Sequence, residues 1–276
     1  MAGEKATTTV ATWNVNSIRA RLERLLVWLE SRRPDVVCLQ ETKVADADFP
    51  TAELRQAGYA GEIFGQRTYN GVAILTRVST TGSAVGLSDV VRGFGDGGDD
   101  SQCRFLMATL ATATGPLRVA SVYVPNGGAV GTDKFVYKLE WLRRWRSWLQ
   151  THASSGPPLL LCGDFNIAPE DVDVYDPVAW QGQVLCHPDE RAALAAIREC
   201  GSGFDDLFRR FNPQSTAFSW WDYRQLCFPK NKGLRIDHIY ASAPLVELCR
   251  AVSIDRETRK GKLPSDHAPV LAEFVL

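Results

Sequence analysis

The sequence predicts an α/β fold, a four-layer sandwich in which two packed mixed β-sheets are flanked by helices. Three observations predict it. A strand–helix–strand pattern fills the first 40 residues, a similar pattern recurs over 117–162, and further strand-like runs lie between and after the two. One helix over each module covers an outer face, which leaves the sheets to pack against each other inside.

In the first module, TTTVATWNV (7–15) is rich in β-branched residues and reads as a strand. Ile18, Leu22, Leu25, Leu26 and Leu29 then recur at helical spacing over 18–31, and Pro34 ends that helix. DVVCLQ (35–40) reads as the next buried strand. GVAILTRV (71–78) and RFLMATLA (104–111) read as strands, with GFGDGGDD (93–100) as a polar, glycine-rich loop. In the second module, LRVASVYV (117–124) and PLLLC (158–162) read as strands around a helix over 132–150. That helix carries Phe135, Leu139, Leu142, Trp145 and Leu149. Near the C-terminus, LRIDHIY (234–240) and PVLAEFV (269–275) are strand-like.

Bulk properties narrow the possibilities. The chain has 276 residues, 45% of them apolar, enough for a substantial core. The net charge of −1 means that any nucleic-acid role must rest on a local basic patch. The seven cysteines form no CxxC pair and several sit in apolar runs, so buried free thiols are expected, not disulfides or a zinc site. The N-terminal MAGEKATTTV lacks a signal peptide's apolar stretch, and no apolar run approaches about 18 residues. A cytoplasmic protein is expected. Residues 1–276 are expected to form a single domain, with 1–6 a flexible N-terminus.

Polar residues then gather at strand ends. Asn14 and Asn16 follow the first strand, Gln40 and Glu41 the second, and Asp164 and Asn166 the LLLC run. Asp237 lies in RIDHIY, and Asp266 and His267 precede the last strand. Any one of these has a capping or turn explanation. The set implies a shared cleft, because carboxylates crowded together are costly without a metal or hydrogen bonds. Hard oxygen donors, one histidine and no thiolate cluster favour Mg²⁺, with Mn²⁺ as substitute, over zinc. Such ions with few protein ligands engage phosphate oxygens. If the segment is extended, Asp266 and His267 point to different sides and serve different subsites.

The motifs WNVNSIRAR, LQETK, YNGVAIL, VYVPNG, GDFNIAP, FSWWDYR, KGLRIDHIYAS and PSDHAPV occur in that order. From about Thr12 onward the chain resembles the exonuclease III class of apurinic/apyrimidinic (AP) endonucleases, within the endonuclease/exonuclease/phosphatase superfold. FSWWDYR followed by KGLRID carries the DNA-repair branch most specifically. The resemblance implies that Glu41 is the principal metal ligand, with Asp266, Asn14 and Asn16 in or beside the metal shell. It implies that His267, oriented by Asp237, contacts the scissile phosphate, as does Tyr123. Asp164 is implied to activate water or handle the leaving-group proton, with Asn166 positioning phosphate beside it. Trp220, Leu234 and Ile236 match positions lining a pocket for an extrahelical abasic sugar, and Asn126 of VYVPNG joins the DNA-binding set. The implied partner is double-stranded DNA with abasic sites, nicks or blocked 3′ ends, bound by a monomer.

Charge and aromatics add to this. Residues 209–262 hold eleven Lys or Arg against five Asp or Glu, whereas 163–206 hold two against ten. Aromatics interleave with cations in FSWWDYR and NKGLR, which suits backbone contact and stacking. Arg224, Lys230, Lys232 and Arg235 are therefore expected on the DNA-facing side. Trp28, Trp141, Trp145 and Trp148 sit on helices as core residues. Of the adjacent Trp220 and Trp221, one packs and one is free to meet a ligand. The loops 93–103, 126–133 and 172–187 are expected to border the cleft. Three readings stand in order: an AP endonuclease with 3′-end trimming, a same-fold phosphodiesterase on a phosphoinositide or sphingolipid, and a non-catalytic DNA-binding relative.

Overall fold

The computed structural model describes residues 7–78, 86–98 and 101–276. The N-terminal segment 1–6 and the end of the glycine-rich loop, 99–100, lie outside the described residues. Among the described residues twelve strands follow in order: β1 (Thr7–Asn14), β2 (Val36–Gln40), β3 (Tyr59–Phe64), β4 (Val72–Arg77), β5 (Leu87–Arg92), β6 (Phe105–Thr112), β7 (Gly115–Tyr123), β8 (Leu159–Asp164), β9 (Phe204–Asp206), β10 (Asp237–Ser242), β11 (Cys249–Ile254) and β12 (Val270–Val275). The α-helices are α1 (Ile18–Arg32), α2 (Thr51–Gln56), α3 (Asp133–His152), α4 (Pro177–Trp180), α5 (Pro188–Arg198), α6 (Leu207–Phe211) and α7 (Ala243–Val246).

The strands form two six-stranded mixed sheets, in the orders β11-β12-β1-β2-β4-β3 and β5-β6-β7-β8-β10-β9. Each has one parallel pair near its middle, β1 with β2 and β7 with β8, joined over α1 and α3. Strand alternation builds three apolar layers between the four layers of structure. Val10, Val36, Cys38, Leu160 and Cys162 face the space between the sheets. Their neighbours Ala11, Val37 and Leu39 face Trp28 and Leu29 of α1. Leu159 and Leu161 face Trp141, Trp145 and Trp148 of α3. The four helical tryptophans are thus core, and six of the seven cysteines are buried.

The run at 234–240 departs from expectation. The strand begins only at Asp237, and Leu234 instead makes isolated bridges to Val174 and Trp220. The cause is Ser219, whose hydroxyl accepts from the amides of both Ile236 and Asp237 at 3.0 Å, so those groups leave the ladder. No helix among the described residues is long and apolar enough to cross a membrane.

Candidate active site

Both parallel pairs end at one place. Asn14 closes β1 beside Gln40 of β2, Tyr123 closes β7 beside Asp164 of β8, and Asp237 opens β10 opposite Asp164. Sites in α/β sheets lie beyond the carboxyl ends of parallel strands, and here two such ends meet. The backbone turns sharply on leaving them. Asn16, Glu41 and Asn166 have φ of 45°, 50° and 50°. A non-glycine residue held there costs on the order of 1 kcal/mol, and such strain collects at functional sites.

The Asn14 amide joins the two sheets. Its Nδ2 donates at 2.8 Å to both Glu41 Oε1 and Asp164 Oδ2, and its Oδ1 accepts from the Asn16 amide N–H at 2.9 Å. Asn16 Nδ2 donates to Asp266 Oδ1 at 2.9 Å, and its Oδ1 accepts from Lys43 Nζ at 2.6 Å. In this arrangement both asparagines orient carboxylates, with their carbonyl oxygens already engaged. Asp266 Oδ2 accepts from Trp220 Nε1 at 3.1 Å. Burial would raise the Asp266 pKa, but the charge of His267 and the hydrogen bonds from Asn16 and Trp220 outweigh it and lower that pKa.

His267 sits beyond Asp266, turned the other way. Its Nδ1 lies 2.9 Å from Asp237 Oδ2 and its Nε2 lies 3.7 Å from Asp164 Oδ2. Burial disfavours the imidazolium, but the Asp237 and Asp164 charges outweigh that and raise His267 to about 10. The buried Asp164 carboxyl is pushed up to about 7, chiefly by burial, against the pull of His267 and with the push of Asp237 and Glu41. Asn166 closes the far side: its backbone N–H donates to Asp164 Oδ1 at 2.9 Å, and its Oδ1 accepts from Asn126 Nδ2 at 3.1 Å. Burial, then the nearby Glu41, raise the Tyr123 phenol well above its ordinary value.

Glu41, Asp164 and His267 each offer a ligand atom within 4.8 Å of the others, so these three could hold a metal ion. The set differs from the sequence-derived grouping of Glu41 with Asp266: Asp266 stands on the other side of Asn16. Lys43, missed in the sequence, lies 2.7 Å from Glu41 Oε2, so that carboxylate accommodates a cation. Its signal was present in LQETK. Arg104, also missed, stacks 4.6 Å from the Tyr123 ring centre.

The apolar residues beside the cleft do gather. Trp220, Leu234 and Ile236 cluster with Val174, Leu185 and Trp180 from the 172–187 loop. Leu234 and Ile236 are fully covered, so Trp220 alone of the three keeps exposed surface. Trp221 is buried, as expected for one of the pair. Lys230, Lys232, Arg224 and Asn126 are exposed. Arg224 pairs with Asp222 at 2.6 Å, and Lys232 lies over Tyr175.

Arg235 corrects the expectation of a DNA-facing cation. It is 1% exposed, with Nε 2.7 Å from Asp173 Oδ1 and Nη2 2.8 Å from Asp206 Oδ2. Asp173 also pairs with Arg209, and Arg235 Nη1 lies 2.9 Å from His238 Nδ1. Part of the acidic 163–206 segment is thus spent inside the molecule on buried cations, not on a solvated face.

The sequence pattern of the endonuclease/exonuclease/phosphatase family matches residues 11–267. Exodeoxyribonuclease III of Haemophilus influenzae is 37% identical over 271 residues, covering 95% of this chain and 98% of that one. A variant of the Neisseria 3′ phosphatase NExo, solved bound to a product DNA hairpin, superposes with a TM-score of 0.89 at 37% identity, over 97% of this chain and 99% of that one. An AP endonuclease from Archaeoglobus fulgidus gives 0.88 at 35% identity, over 98% of this chain and all of that one.

Proposed function

The chain belongs to the endonuclease/exonuclease/phosphatase family, and from that premise we propose that it is a Mg²⁺-dependent DNA-repair phosphodiesterase. It cleaves duplex DNA 5′ to abasic sites and trims 3′ ends, as exonuclease or as 3′-phosphodiesterase and 3′-phosphatase. The observation that carries this is the cleft in which Glu41, Asp164 and the Asp237-bound His267 converge at two strand ends. The DNA substrate is supported by the full-length likeness to an exodeoxyribonuclease and an AP endonuclease.

The Glu41 carboxylate fits a hard divalent ion: it is a hard oxygen donor, and a cationic ammonium already rests on it. Glu41, as principal ligand, would hold Mg²⁺, or Mn²⁺ in its place, which would supply charge neutralisation and polarisation of the phosphorus–oxygen bonds.

The chain's own groups do the rest. His267, kept protonated by the Asp237 and Asp164 charges, donates Nδ1–H to Asp237 and presents Nε2–H to a non-bridging phosphate oxygen. Asp164, whose carboxylate burial makes more basic, accepts a proton from the attacking water as the new phosphorus–oxygen bond forms and the bond to the leaving oxygen breaks, and that proton is available to the leaving oxygen. Asn14 keeps that carboxylate beside Glu41, and Asn166 with Asn126 holds the phosphate in line. Tyr123 donates to the same phosphate. Trp220 offers a stacking face to an extrahelical sugar, and Arg224, Lys230 and Lys232 contact the DNA backbone.

The test is a comparison of initial rates with Mg²⁺ on two duplexes, one with an internal abasic analogue and one with a 3′-phosphate at a nick. Cleavage of the first and phosphate release from the second are expected. Activity on a soluble inositol phosphate with none on either duplex would overturn the reading.

A further inference from the structure

Lys138 lies on the buried stripe of α3 with Phe135, Trp141, Leu142 and Trp145, and is itself fully buried. Its Nζ has three oxygen neighbours, an ion-pair partner and two hydrogen-bonded carbonyls. These are Glu190 Oε1 of α5 at 2.5 Å and the backbone carbonyls of Asn166 at 2.7 Å and Asn126 at 3.2 Å. Glu190 is equally buried, and its Oε2 accepts from the His187 amide at the start of α5. The lysine stem also supports the loop above it. A Cβ added at Gly127, where φ is 92°, would lie 3.0 Å from Lys138 Cδ.

A buried ion pair is a poor route to stability, since apolar side chains of similar volume serve as well or better. Its partners here point to another use. The two carbonyls belong to the residues whose amides meet at 3.1 Å, and Asn166 further contacts Asp164 through its backbone N–H and its Nδ2.

We propose that Lys138 is a positioning residue whose ammonium ties the Asn126 and Asn166 loops to α3 and to each other, fixing two amides and the Asp164 carboxylate for reaction. This rests on the reading of the cleft as a nuclease site. Glu190 holds the ammonium in place between the loops.

The test uses Lys138→Met/Glu190→Gln, which removes both charges at nearly constant volume. Melting within a few degrees of the parent is expected, with kcat lower on the order of 100-fold and KM changed less than about threefold. In an Asn166→Ala background, where the positioned amide is gone, the same pair of changes is expected to lower kcat by less than about threefold. Equal factors in both backgrounds, or a kcat within about twofold of the parent, would overturn the proposal. Amide exchange gives a second readout, independent of cleavage. Segments 125–128 and 165–168 are expected to exchange about tenfold faster in the charge-free pair, and unchanged exchange counts against the tether. Should the parent cut neither duplex, the nuclease reading fails while exchange still decides the tether. Should the charge-free pair not fold, Lys138→Gln passes through the same cycle and is judged by the same outcomes.

Discussion

The two strand–helix–strand modules are alike in backbone and unlike in what they deliver. Each lays a parallel pair under one helix and ends at the cleft. The first delivers Glu41 at the wet side, its side chain 16% exposed and next to Lys43. The second delivers Asp164, 1% exposed and crowded by Asp237 and His267. A partly wetted carboxylate keeps access to cations from solution, whereas a buried one holds its proton to higher pH. On the function proposed above, the same unit, used twice, supplies a cation seat and a proton acceptor, and burial decides which is which.

Four measurements can break or sharpen that contrast. The largest effect belongs to the buried half: Asp164→Asn or His267→Ala should lower single-turnover cleavage of both duplexes by roughly 10³–10⁴-fold. Activity within tenfold of the parent in either variant moves the proton handling elsewhere. Next, Glu41→Gln should cost on the order of 10²-fold at fixed Mg²⁺ and recover in part as Mg²⁺ rises, with a higher half-saturation. Asp164→Asn should show no such recovery, and if both variants respond to Mg²⁺ alike, the division between the modules is wrong.

The third effect is acid sensitivity of the network beneath the second module. Burial, then the Arg235 charge, depress His238 to about 4, from an ordinary 6.5. Burial works against Asp206, yet Arg235 and His238 hold it down to about 2, below its ordinary 3.8. Both folded values lie below the unfolded ones, so the stability they contribute is complete above the unfolded values and lost as pH falls. His238 loses its share, roughly 3 kcal/mol, between about pH 6.5 and 4, and Asp206 its share, roughly 2 kcal/mol, between about pH 4 and 2. Urea midpoints measured from pH 7 to 3 should fall accordingly, and exchange protection in β8 and β10 should go before that in β1 and β2. A flat profile would show that the network does not govern acid stability. The smallest effect is at the surface. Lys230→Glu/Lys232→Glu should weaken DNA binding about tenfold and flatten the salt slope by about two. Unchanged affinity and slope would remove that segment from the DNA face.

The sequence was legible where burial was two-sided and obscure where it was not. The strands read from it, β1, β2, β4, β6, β7, β8, β10 and β12, are the eight interior strands of the two sheets. The four it did not declare, β3, β5, β9 and β11, are the four edges. Interior strands in these sheets are covered on both faces and read as apolar runs such as VVCLQ and LLLC. Edge strands such as LSDVVR are largely exposed and carry mixed residues, so no period stands out. Site residues were legible because polar groups at the ends of apolar runs are conspicuous. Arg235 was misplaced because local charge density does not reveal a partner 62 residues away, Asp173. Lys138 went unnoticed although it interrupts an aromatic helical stripe, which is the signal that would have found it.

The cleft draws on distant parts of the chain: Asn16 and Asp266 share a hydrogen bond across 250 residues of sequence. During synthesis, a chain that has emerged only as far as α5 carries Glu41 and Asp164 without His267, its Asp237 partner or Asp266. Such a chain lacks the imidazole that faces Asp164. Only when β12 aligns along β1 do the two ends of the site meet. The complete cleft therefore forms only once both ends of the sequence are in place.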